Sequence, residues 1–100
     1  MSIRSTELLW KTRALVAVLK NAGASHGEHA ERLLSHALLR QSPLEIATVI
    51  GAAAELRIFP TEVQMQRCHA IVSTSDDVAV RAMIWVVHHR KRRLGNTEGR

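Results

Sequence analysis

The chain has 100 residues, of which 46% are hydrophobic, 3% aromatic and 23% charged. That apolar share excludes a disordered chain, and the length excludes an enzyme built with a separate cofactor domain. The formal net charge is +5, but it is unevenly placed: Arg90, Lys91, Arg92, Arg93 and Arg100 face only Glu98 after residue 87, and the first 87 residues nearly balance. The single cysteine, Cys68, excludes an internal disulfide and points to a reducing compartment, so a cytoplasmic location is expected. The longest uninterrupted apolar runs, Ala14–Leu19 and Ala82–Val87, are six residues each, against about 20 for a membrane helix, so no membrane insertion is expected.

The spacing predicts five helices in chain order. Ser5 and Thr6 are placed to cap a first helix to about Asn21, with Leu8, Leu15 and Leu19 inward and Gly23 as its stop. Ser25-His26-Gly27-Glu28 reads as a capping box for a second helix to Arg40, whose inner stripe is Ala30, Leu33, Leu34, Ala37 and Leu38. Ser42-Pro43-Leu44-Glu45 is another box, with proline at the first helical position, and opens a third helix to about Ile58. That helix should bury Ile46, Val49, Ile50, Ala53 and Ala54. A fourth, about 60–72, offers Val63, Cys68, Ile71 and Val72. Thr74-Ser75-Asp76-Asp77 supplies caps and acids for a fifth, about 76–93, with Gly95 onward a flexible basic tail. Residues 78–87 are β-branched enough to read as a strand, yet no partner strand is evident, so helix is preferred. The expectation is a single all-α domain over residues 1–94.

Short connections imply antiparallel hairpins. Two architectures fit: a closed bundle, or a stack like the tetratricopeptide repeat, a helix pair of roughly 34 residues. Ala30, Leu34, Ala37 and Pro43 follow the small, bulky, small and proline order of that repeat's second helix.

Little in the sequence carries catalytic chemistry. His26, His29 and His36 share one helix, but no HExxH or CxxC motif accompanies them, and no metal or cofactor is expected. Cys68 and His69 project about 100° apart on a helix, so they are not a nucleophile and its base; Cys68 reads as a buried thiol. Asp76-Asp77 is explained by capping. No glycine-rich phosphate loop is present, and the chain reads as non-enzymatic.

Two features point to partners. On the fifth helix, Val80, Met83, Ile84 and Val87 can serve the core, which leaves Ala79, Ala82, Trp85 and Val86 pointing elsewhere. A Trp-centred apolar patch marks a protein interface, with Trp10 as a second anchor; a homodimer that buries the helix on both sides is another account. The partner-binding candidates are Trp10, Ile50, Ala54, Met83 and Trp85. The second feature is His88-His89-Arg90-Lys91-Arg92-Arg93. Its four cations Arg90, Lys91, Arg92 and Arg93 can contact phosphates, which makes a small basic nucleic-acid-binding regulator the rival reading. It lacks interleaved aromatics that would stack bases.

The stretch Gly23-Ala24-Ser25-His26-Gly27-Glu28-His29-Ala30, with Leu33, Leu34 and Leu38 after it, resembles the small TPR-like chaperones of type III secretion systems that hold the needle subunit before export. Ser75-Asp76-Asp77-Val78-Ala79-Val80-Arg81 is similar to the start of that family's last helix. The resemblance covers about half the chain. It implies a cytoplasmic chaperone whose helices present an apolar face to an amphipathic helix of a secretion subunit.

Overall fold

The computed structural model describes the backbone of residues 3–98 and the side chains of residues 6–94. Five helices are present: α1 (Ile3–Asn21), α2 (His26–Arg40), α3 (Pro43–Glu55), α4 (Glu62–Val72) and α5 (Val78–Glu98). No strand occurs among the described residues, and residues 78–87 are helical. The protein is all-α.

Helix α3 is the centre. Every residue from Ile46 to Ala54 is buried, where an amphipathic stripe was expected. A helix that is apolar all round must be covered on all sides, and α3 packs against α1, α2, α4 and α5. α1 also touches α5. In a stack each hairpin meets only its neighbours, so the closed bundle is the architecture observed. One core cluster joins Leu8, Leu34, Leu38, Ile46, Ile50, Met65, Val72, Val80 and Ile84 across all five helices. A smaller one gathers Leu19, Ala30, Ala52 and Ala53.

Helices α1, α3 and α5 run in the same general direction. A Cβ built on Gly51 would lie 2.9 Å from Met83 Sδ and 3.4 Å from Thr12 Cγ2. One turn later Glu55 meets Arg90, well beyond Met83 along α5. Lys11 borders Leu44 and Thr48 near the start of α3, whereas Leu19 packs with Ala52 and Ala53 near its end.

Helix ends follow local chemistry, with several departures from expectation. α1 begins at Ile3, so Ser5 and Thr6 lie inside it and are not its caps. Gly23 has φ +60°, the left-handed conformation that a stop glycine supplies. The Ser25 capping box does not form: a 3-10 turn over Gly23–Ser25 leads straight into α2, and Ser25 lacks the extended backbone a cap needs. The Ser42 box is half formed. Its hydroxyl accepts from Glu45 N at 3.3 Å, while the Glu45 carboxylate turns to Arg40 at 3.1 Å. α3 closes at Glu55 through paired bonds, Ile58 N to Ala53 O and Arg57 N to Ala54 O, with Arg57 left-handed. α4 starts at a full capping box between Thr61 and Gln64. α5 starts two residues later than expected because Asp77 is its cap, accepting from Ala79 N at 2.8 Å. The α5 backbone stays helical past Arg93 and through Gly95 to Glu98. The side chains of the expected 95–100 tail lie outside the described residues.

In α4 the inward residues are Met65, Cys68 and Val72, at helical spacing. Val63 was expected in the core and is instead 67% exposed; two positions before Met65, it projects from nearly the opposite side of the helix.

Candidate functional site: an apolar groove between α1 and α5

Helices α1 and α5 do not close completely over α3. Between them lies an open groove of about 680 Å³. Its floor is Gly51 and Ala54 of α3, with Glu55 at one end. One wall is Leu8, Leu9, Thr12, Arg13 and Val16 of α1; the other is Ala79, Ala82, Met83, Val86 and Arg90 of α5. Small residues create the space. Gly51 lets Thr12 and Met83 approach the α3 backbone, and Ala79 and Ala82 leave one wall without bulk. Thr12 contributes no free polar group, because its hydroxyl donates to Leu8 O at 2.7 Å. The groove is therefore largely apolar, with Arg13 on the α1 wall and, at one end, Arg90 reaching Glu55 at 3.2 Å. Beyond that end, Arg57 and Arg93 line a recess continuous with Glu55 and Arg90.

The structure separates the expected partner-binding residues. Ala54 and Met83 line the groove. Ile50 is 1% exposed, at the centre of the core, and reaches no partner in this state; α3 is covered on the side where Ile50 points. Trp10 is 69% exposed and Trp85 is 64% exposed, yet neither lines the groove. Trp10 shares an outward α1 face with Ala14, Ala17 and Val18, all exposed. The groove residues Leu9, Arg13 and Val16 were not singled out in the sequence. α1 is apolar on several faces, so the stripe of Leu8, Leu15 and Leu19, with Thr12 between them, hid Leu9 and Val16 beside it.

Trp85 belongs to a different cluster, between α4 and α5. His69 Nε2 and His88 Nδ1 are 3.0 Å apart, so one ring donates to the other. The Trp85 ring meets His69 edge-on at 4.9 Å and lies parallel to His88 at 6.4 Å. Partial burial, and then the charge of His88, hold the His69 imidazole below its ordinary value. No group of three or more His, Cys, Asp or Glu residues that could hold a metal ion occurs among the described residues. Cys68 faces the core on the same helix, and burial pushes its thiol up to about 11 against a smaller opposing effect of Arg67. It is a packed, protonated side chain and not a thiolate.

The basic run is partly occupied. Arg90 pairs with Glu55, and Lys91 Nζ donates to Pro60 O at 2.6 Å with Glu62 at 3.4 Å. Arg92 is exposed, and Arg93 borders the recess beside the groove. Arg90 and Lys91, two of the proposed phosphate contacts, are thus already engaged with the protein body. No described helix is long and apolar enough to cross a membrane.

No protein-family model, curated protein or solved structure matches the chain.

Proposed function

We propose that this protein is a non-enzymatic interaction module that seats an amphipathic helix of a partner protein in the groove between α1 and α5. The groove itself carries the reading: it is largely apolar, open to solvent and floored by a glycine against which Met83 and Thr12 pack closely. Helix-in-groove recognition uses apolar anchors spaced at i, i+3, i+4 and i+7. From Ala79 to Arg90 the α5 wall runs about 17 Å, enough for about three turns of a partner helix. Each anchor of Leu size that enters contributes about 1.5–3 kcal/mol of burial before the costs of ordering.

The role is that of a chaperone that covers an apolar helix until the partner assembles. A cytoplasmic site suits the unpaired thiol, and a type III secretion subunit is the partner that the resemblance to needle-subunit chaperones suggests. Affinity capture from the native cell tests the reading. The Ala82→Glu variant places a charge on the groove wall and should fold normally by circular dichroism while losing the captured helical partner. The Trp85→Glu variant alters an exposed residue outside the groove and should keep it. A folded Ala82→Glu protein that retains the same partner overturns the proposal.

A further inference from the structure

The groove is apolar at one end and cationic at the other, and that asymmetry bears on what it holds. Leu8, Leu9, Ala79 and Ala82 form the neutral end. Arg13 stands on the α1 wall next to Thr12, level with Gly51 and Met83, Arg90 stands on the opposite wall at the Glu55 end, and Arg57 borders the adjoining recess. The acid among them, Glu55, is bonded to Arg90. Arg13 is exposed and makes no ion pair among the described residues. The half of the groove from Arg13 to Arg90 thus carries net positive charge beside an apolar floor.

Building on the groove reading, we infer that the occupant is an amphipathic helix with acidic residues clustered at one end, and that this acidic end lies between Arg13 and Arg90. Charge complementarity counts against a second copy of this chain docked groove to groove, which would bring Arg13 and Arg90 of both copies together, where like charges repel. An acidic end sets the register of the bound helix, because sliding inward by one turn moves its acids off the arginines by about 5 Å and onto apolar walls. It also steers encounter, since exposed charges act over about 10 Å at moderate salt.

Two synthetic helical peptides of about 15 residues provide the probe; they share one leucine stripe and differ only in having three Glu or three Lys at one end. Binding is read by fluorescence anisotropy. The wild-type protein should bind the Glu peptide about tenfold more tightly than the Lys peptide at low salt, a ratio that shrinks toward one at high salt. The Arg13→Glu and Arg90→Glu variants, both altered at exposed positions, should each lower the ratio, and the double variant should reverse it. Ala82→Glu should abolish binding of both peptides. Equal affinity of the two peptides for a wild-type protein that Ala82→Glu disables would overturn this inference and leave the groove reading standing. Binding of neither peptide at about 0.1 mM would overturn both.

Discussion

Gly51 is where the packing can be tested most sharply. Replacing it with alanine adds one methyl group to a buried helix interior. Alanine is favoured over glycine there by about 0.8–1 kcal/mol. The new Cβ would stand 2.9 Å from Met83 Sδ and 3.1 Å from Met83 Cε. Carbon and sulfur contacts settle near 3.5–4.0 Å, so the end of Met83 must retreat by about 0.6–1 Å. Overpacking of a rigid neighbour costs about 1–3 kcal/mol. Methionine is flexible, and the open groove gives its end somewhere to go, so the cost belongs at the low end. The two effects nearly cancel, and Gly51→Ala alone should change stability by no more than about 0.5 kcal/mol. Once Met83→Ala has removed the obstacle, Gly51→Ala should stabilise the protein by about 1 kcal/mol. Urea unfolding followed by circular dichroism completes the double-mutant cycle. A coupling within about 0.3 kcal/mol of zero would refute the account of why glycine stands at this crossing.

Two further outcomes follow from the caps and the histidine pair. Asp77 Oδ1 caps α5, while Oδ2 is buried without a partner; Asp77→Ala should cost about 1 kcal/mol, whereas Asp77→Ser keeps the cap, removes the orphan oxygen and should stay within about 0.5 kcal/mol of wild type in the same urea assay. His69 is held below its ordinary value of 6.5 by partial burial and then by His88, so the unfolded chain binds more protons than the native one as pH falls below 6.5. Stability should decline from there until the pH passes the lowered value, and His69→Gln should flatten that part of the thermal-unfolding profile against pH.

The helices were legible where local chemistry decides their ends. Ser42-Pro43 opened α3 as read, Gly23 stopped α1, and the stripe Ala30, Leu34, Ala37 and Leu38 faced the core. The Thr61-Glu62-Val63-Gln64 box was present in the sequence but overshadowed by Phe59-Pro60, which pulled the expected start of α4 forward. Arg57 and Gln41 are left-handed at helix ends without being glycine, a choice that pattern alone does not reveal because the surrounding bonds impose it. Ser25 resembled a cap, yet the 3-10 turn before it already used the backbone in another way. The site was harder. The division of α5 into core residues and Ala79, Ala82, Trp85 and Val86 was visible, and three of those four line the groove. What one-dimensional spacing could not show is which outward face meets a second helix. Trp85 drew attention by its size, but α4 supplies His69 beside it, while the smaller Ala82 borders the groove.

The burial of α3 on every side also has a bearing on the unfolded chain. Residues 46–54 hold no charge and no proline, and Ile46, Thr48, Val49 and Ile50 are β-branched. Exposed, such a segment favours stacking with its own kind into cross-β assemblies. The surrounding four helices are therefore a solubility shell as much as a scaffold. Peeling α1 or α5 away would open a stretch of the chain suited to aggregate, and a helix seated between those two would hold the shell shut.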